Sequence, residues 1–417
     1  MDTGRSFRDA LCTDCEEMES DKCETKGEGV TESNPETNEN VKLVFNDDRS
    51  PTGVRVDDVH FKRFLTRFVL DFWPDRHNDF QFPGPLPVSI ERKDLYKIKK
   101  FPYVVSNKTD GVRFMMICVR YKDEPYCVLV NRSFTFCAVN DQKFDEEVYD
   151  GTLLDGELAK NNKGEWHYLV HDVVSAAGRD VSKDNWSDRN MNLTKIVDTA
   201  YKGPGQFTTT IKEFYHFSQL GDVINQNSNE FKSDGLVFTP QLYPIGMGTQ
   251  YTLFKWKPQT EHTFDFKVTK PDDTYSLNIF HKGNIVEYRT ELGEDFGTRA
   301  EKLDGYVDGC IVECSHDQAT GTYTPLVVRK DKTHPNGLKT VQKTILNIQE
   351  NITQNDLLNI DENDRPFREF NSNRNFSYGR GRGGHGRGNQ GYRRGDGRGN
   401  GGYSNDSNRQ SYRKQPV

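Results

Sequence analysis

The chain has 417 residues, of which 33% are hydrophobic, with a formal net charge of −7 and a mean hydropathy of −0.84. That length suits two or three domains, but the apolar content is too low for all of it to be packed. No apolar run approaches the ~18 residues of a membrane helix, and Met1-Asp-Thr-Gly-Arg-Ser does not open a signal peptide; a soluble, intracellular protein with no membrane partner is expected, its eight cysteines reduced rather than forming a scaffold.

Residues 1 to about 50 are rich in Glu, Asp, Ser, Thr and Asn and read as a disordered acidic segment. Cys12-x-x-Cys15 with Cys23 lacks a fourth ligand at matching spacing, which makes it a poor zinc site. From Val56 to Leu70 apolar residues recur near helical spacing, so an amphipathic helix is expected. Phe82-Pro-Gly-Pro-Leu-Pro-Val holds three prolines and reads as a rigid loop. A short capped helix is expected from Ser89.

Strands then dominate from Tyr103 to about Lys257. Lys108-Thr-Asp110-Gly111-Val-Arg113 lies between two β-branched-rich runs and reads as strand, tight turn, strand. It displays a lysine that could act as a nucleophile once neutral and an arginine suited to a phosphate or sugar oxygen. Taken alone, it is equally a hairpin with solvated charges. Further strands are expected at Tyr126–Val130, ending at Asn131-Arg132, and at Gly151–Ala159, which carries Asp155-Gly156-Glu157. Trp166–Val174, with His171, and Phe231–Phe238, with Asp234-Gly235-Leu-Val237, follow. In Thr252-Leu-Phe-Lys255-Trp-Lys257 alternation puts both lysines on one face, which suits an anion or water.

From about His262 five short strand candidates recur, at residues 263–268, 277–280, 285–288, 310–314 and 326–329. They suggest a small barrel such as an OB-fold. It closes at Arg329-Lys-Asp331-Lys332-Thr-His-Pro335-Asn336, followed by helices near residues 340–348 and 351–358. From Asn371 to Val417 nine Arg and one Lys face only Asp396 and Asp406, a net of +8, so the rest of the chain carries −15 of the total −7. Glycine prevents packing there, while Arg and Tyr offer phosphate contacts and base stacking, so RNA contact is favoured over a solubility tail.

This ordered set resembles the covalent nucleotidyltransferases, which include mRNA capping enzymes and polynucleotide ligases. Six family motifs can be laid on residues 80–360 in order. The blocks from Pro87, Val105, Lys302, Ile311 and Thr344 are most similar to the compact mRNA guanylyltransferase of large DNA viruses of algae. The resemblance implies an α+β nucleotidyltransferase domain of antiparallel sheets with helices over 51–260. An OB-fold domain with a closing helix follows over 261–360, between disordered extensions at 1–50 and 361–417. It implies that Lys108 attacks the α-phosphorus of GTP, and that Lys–GMP then passes to the 5′-diphosphate end of RNA. Neighbouring cations would depress its pKa. Arg113 and Glu157 would hold the ribose hydroxyls, Lys255 and Lys257 the α-phosphate, and Arg329, Asp331 and Lys332 the β- and γ-phosphates. Asp110 and Arg132 complete the GTP-binding set. His171 stands where the viral relatives place a stacking phenylalanine, with Val237 on the other face of the base. Asp234 and Glu157 are the candidates beside Mg²⁺ or Mn²⁺. Asp155 and Asp265 match further family carboxylates, the latter at the domain junction.

The alternatives are an ATP-dependent ligase using the same lysine and a non-catalytic RNA-binding protein. The Arg-x-Asp-Lys-x-x-Pro-Asn form argues against the first, and the complete set of reacting residues against the second. With no His-Cys-x5-Arg loop and no convincing methyltransferase motif, the RNA triphosphatase and cap methyltransferase are expected to be separate proteins. The chain itself is expected to be a monomer, nuclear or cytoplasmic in the cell or host cell.

Overall fold

The computed structural model describes residues 39–360, apart from 46, 74–81, 226–229, 290–291 and 294. The disorder expected of residues 1–38 and 361–417, the Cys12, Cys15 and Cys23 group and the Arg-Gly segment lie outside the described residues.

The chain enters on β1 (Asn40–Lys42) and turns back on β2 (Thr52–Arg55), antiparallel to it. Disorder as far as residue 50 is thus corrected. Leu43 is buried, Asp47 pairs with Lys160, and Val44 N–H donates to Ser50 Oγ at 2.8 Å. One buried leucine and local side-chain bonds anchor a segment that composition alone marks as unpacked. Helix α1 (Val59–Asp71) forms as expected. Asp58 caps it by accepting from Phe61 N–H, and Phe61, Leu65, Phe68 and Val69 make its buried stripe.

Residues 82–88 depart from expectation. The rigid loop continues into β3 (Pro85–Ser89), parallel to the strand Gly248–Trp256 at the edge of a sheet. An edge strand needs donors on one side only, so its prolines cost no ladder bond. Ser89 ends this strand and caps no helix. A 3₁₀ turn (Arg92–Asp94) and α2 (Leu95–Lys100) begin later, with no side-chain cap.

Strands β4 (Tyr103–Thr109), β5 (Val112–Tyr121), β6 (Glu124–Val130), β7 (Phe136–Ala138), β8 (Asp150–Lys160), β9 (Trp166–Ala176) and β10 (Arg179–Asp180) follow. Helix α3 (Trp186–Thr194) leads to β11 (Thr208–Ile211) and β12 (Tyr215–His216), and α4 (Leu220–Asn225) to β13 (Ser233–Pro240) and β14 (Gly248–Trp256). They form a nine-stranded sheet, ordered β1-β2-β7-β6-β5-β8-β9-β10 with β11 beside β9, and a five-stranded sheet, ordered β12-β4-β13-β14-β3. Strands β4 and β5 are therefore no hairpin. Asp110-Gly111 carries the chain from one sheet to the other. A Cβ at Gly111 would lie 2.7 Å from the Leu158 carbonyl oxygen, so only glycine lets the turn pass this close to β8.

All five expected barrel strands are present: β15 (Thr263–Thr269), β16 (Ser276–His281), β17 (Asn284–Arg289) and, after the short helix α5 (Phe296–Ala300), β18 (Ile311–His316) and β19 (Tyr323–Val328). Their order, β17-β16-β15-β18-β19, is that of a partly open OB-fold. Helix α6 (Leu338–Glu350) buries Val341 in the barrel core. The chain then returns to the five-stranded sheet through α7 (Gln354–Leu358), burying Ile352, Leu357 and Ile360 against Ile90, Leu95 and Ile98.

Candidate active site

The site lies where the sheets diverge beyond Asp110-Gly111. Strand β4 delivers Lys108, three-quarters buried, whose ammonium donates to Asp234 Oδ1 at 2.7 Å. Asp234 sits in a bulge of β13 between Ser233 and Leu236. Without that extra residue the carboxylate would point elsewhere. Lys257, just past β14, pairs with the other oxygen of Asp234. Burial pushes the Asp234 carboxyl up, but the two lysines outweigh it and hold it below its usual value. Lys255 lies opposite Val237 in the ladder. Burial first, then repulsion from Lys108, Lys257 and Arg132, brings it down to about 8.

The other sheet supplies a second cluster. Register pairs Arg113 on β5 with Glu157 on β8. The Arg113 guanidinium forks onto the fully buried Asp155, with Nε donating at 2.8 Å, and Nη1 donates to the Pro85 carbonyl at 2.8 Å. The ring of Phe82 lies 4.5 Å from that guanidinium. His171 is the extra residue of a bulge in β9, its Nε2 3.4 Å from Asp155 Oδ1. Burial depresses its pKa despite Asp155, so the ring is neutral. Arg132 follows β6, its pKa lowered by burial and by Arg113.

Sequence reasoning missed Lys212. It follows β11, is 8% exposed, and its Nζ lies 3.5 Å from Glu157 Oε2. Burial depresses it, partly offset by Glu157. A lysine ending a β-branched strand, Thr208-Thr-Thr-Ile211, is the only signal. Also missed was the buried Asp172–Arg189 pair, 2.7 Å at its closest, which pins α3 to β9. Asp110 is half exposed and pairs with Lys232 at 2.9 Å.

The barrel contributes a third cluster. Arg329 Nη1 donates to Asp265 Oδ1 (3.0 Å) and Glu313 Oε2 (3.1 Å), while Nε and Nη2 fork onto Asp331 at 2.9 Å each. Lys332 also pairs with Asp265, and Asn336 Nδ2 donates to it at 3.0 Å. Glu313 went unnoticed, and Asn336 had no role assigned. The charges of Arg329 and Asp331 lie near enough to act on Arg132.

A largely buried lysine, further cations and two carboxylates are thus brought together. Among the described residues no three His, Cys, Asp or Glu converge as a metal cage. Mg²⁺ does not need one: one or two carboxylates plus substrate phosphates suffice. Asp234 and Glu157 offer that kind of hard oxygen donor.

Two family descriptions fit the chain, overlapping where they meet: the catalytic domain of mRNA capping enzymes over residues 52–259 and their C-terminal domain over 247–358. The chain belongs to the mRNA capping enzyme family. It is 28% identical over 355 residues to the mRNA-capping enzyme subunit alpha of Candida glabrata, covering 66% of this chain and 79% of the relative. The Saccharomyces cerevisiae subunit alpha is 27% identical, with 66% and 77% covered. The mRNA-capping enzyme of Danio rerio is 26% identical, with 66% and 49% covered. Two solved ligases share only a remote likeness: the ligase domain of M. tuberculosis LigD (13% identity, TM-score 0.30, 60% of this chain and 95% of that one) and the ATP-dependent DNA ligase of bacteriophage T7 (14%, 0.29, 59% and 98%). Values this low bear on nothing further. Among the described residues of this capping-enzyme chain, no helix is long and apolar enough to cross a membrane.

Proposed function

We propose that this capping-enzyme chain is an mRNA guanylyltransferase that works as follows. Lys108 Nζ, freed of its proton, attacks the α-phosphorus of GTP. A P–N bond forms, the bond to the β-phosphate oxygen breaks, and pyrophosphate leaves. A terminal phosphate oxygen of 5′-diphosphate RNA then attacks the same phosphorus, the P–N bond breaks, and the lysine departs to be reprotonated. The observation that carries this reading is the pairing of Lys108 with Asp234 at 2.7 Å, with Lys257 on the same carboxylate. Asp234 positions the nucleophile, and Lys255 and Lys257 neutralise charge growing on the α-phosphate. Lys212 holds Glu157 toward the ribose. Arg113 has committed three of its five N–H groups and keeps two for the sugar. His171 and Val237 sandwich the base, and Arg329 and Lys332 meet the outer phosphates. Mg²⁺ or Mn²⁺ beside Asp234 and Glu157 would act as a Lewis acid on the phosphates.

Fungal relatives are named as subunits. On that ground, and on the motifs the sequence lacks, an RNA triphosphatase on a separate chain is part of the proposal. So is the finer likeness to the compact enzyme of algal viruses, which rests on the blocks from Pro87, Val105, Lys302, Ile311 and Thr344. Incubation with labelled GTP or ATP and metal, then denaturing electrophoresis, tests the reading. Label from GTP alone supports capping, and label from ATP alone supports the ligase alternative. Lys108→Ala and Lys108→Arg should each lose the adduct, because a guanidinium is not a usable nucleophile. An adduct in either variant refutes the assignment.

A further inference from the structure

Asp265 and Glu313 are direct partners in the β15–β18 ladder. Two carboxylates placed opposite each other on neighbouring strands repel. Arg329 Nη1 lies between them, 3.0 Å from one and 3.1 Å from the other, and makes the pair tolerable. We propose that Asp265 and Glu313 form a resting site for the Arg329 clamp, which exchanges between this carboxylate pair and the outer phosphates of GTP, with Glu313 setting how readily Arg329 leaves. The proposal rests on the guanylyltransferase reading and adds a positioning residue to it.

The rest of the cluster supports such an exchange. Asp331 forks onto Nε and Nη2 from two residues away and can travel with Arg329, so only Nη1 has to change partner. When Arg329 and Lys332 turn to the phosphates, Asp265 keeps Asn336. Glu313 keeps only the Thr263 hydroxyl, which donates to its Oε1 at 2.6 Å. The charge uncovered is that of both carboxylates, and among the described residues Glu313 has no cation left. That charge opposes capture of the β- and γ-phosphates and draws Arg329 back once pyrophosphate has gone. Thr263 opens β15, beside the linker from the nucleotide-binding sheets, so Glu313 is oriented from the joint itself.

Glu313→Gln keeps the shape of the side chain and an acceptor for Thr263 but removes the charge. Its KM for GTP in adduct formation should fall several-fold, as should the pyrophosphate concentration that half-inhibits the step. GMP transfer from a preformed adduct should shift less than twofold, since the outer phosphates have left by then. Thr263→Val, which loosens Glu313 without neutralising it, should move both quantities the same way by less. Unchanged or raised values in Glu313→Gln, or equal losses in both steps, overturn the proposal. If thermal unfolding shows that Glu313→Gln does not fold, an unshifted Thr263→Val overturns it instead. Absence of any GMP adduct in the unaltered protein would refute the guanylyltransferase reading, a result distinct from an adduct whose pyrophosphate sensitivity ignores Glu313.

Discussion

Lys255 shares a small volume with Lys108, Lys257 and Arg132, and burial together with their repulsion brings it down to about 8. A lysine with a depressed pKa is charged below that value and loses its proton as pH rises through it. If its charge neutralises the α-phosphate, kcat/KM for adduct formation should fall on the alkaline side with an apparent pKa near 8, because kcat/KM reports groups of the free enzyme. Lys255→Arg keeps its charge at every working pH. It should lose rate through its different shape, yet its alkaline limb should move up by more than about one pH unit. An unmoved limb would assign that titration to another group. Lysines alternating on a strand are visible in a sequence. How many other cations face them is not, and that number sets the shift.

The bulge in β13 turns a strand into a device for aiming Asp234. Gly235 makes it possible: its φ is +159°, and a Cβ there would sit 2.0 Å from the Trp256 carbonyl oxygen of the neighbouring strand. Gly235→Ala must push β13 from β14 or flatten the bulge. It should cost about 1–3 kcal/mol, the usual range for overpacking, measured by urea unfolding. Adduct formation in the fraction that remains folded should fall more than tenfold, because Asp234 and hence Lys108 are displaced. Wild-type adduct formation by this variant would show that the bulge does not position the site. Asp-Gly beside Leu-Val signals such a bulge in the sequence. The edge position that lets β3 carry Pro85 and Pro87 has no such local mark, so residues 82–88 read as a loop.

Two connections, not one, join the barrel to the rest. One is the stretch from Pro258 to Thr263, just past the Lys255-Trp-Lys257 run. The second is the return from α6, where Arg92 donates from Nε to the Glu350 carbonyl at 3.0 Å and from Nη2 to Asp356 at 3.2 Å. Trp256 Nε1 donates to the Ile352 carbonyl at 2.7 Å, and Asn351 ends the helix in the left-handed region (φ 42°). Arg92 thus satisfies the open end of α6. Its replacement by Ala should cost about 1–2 kcal/mol in lost hydrogen bonds and widen the spread of interdomain distances in solution. In the unaltered protein, X-ray scattering should show compaction on adding GTP, as expected if the barrel closes over the nucleotide. Identical profiles with and without GTP, and from both proteins, would contradict a hinge braced at two points.

The basic segment beyond Asn371 belongs to this scale too, though only its composition speaks for it. Phosphate contacts from a net +8 should weaken steeply with salt. Truncation after Glu369 should leave Lys–GMP formation unchanged. It should raise KM for long diphosphate-ended RNA at low salt, with less effect on short RNA. Equal KM values for long RNA, with and without the segment, would exclude a tethering role.

By itself the sequence determined which residues carry charge at the ends of strands and in what order they come. Alternation with period two places Lys255 and Lys257 on one face, and five short apolar runs separated by Gly and Asp turns announce the barrel. The tertiary structure alone decided that β4 and β5 belong to different sheets, which opens a cleft where a hairpin was equally readable. It brought Lys212 to Glu157 across 55 residues of chain and set Glu313 opposite Asp265 with Arg329 between them. These facts depend on which strands pair, and pairing is settled by burial of whole faces rather than by any local run of residues.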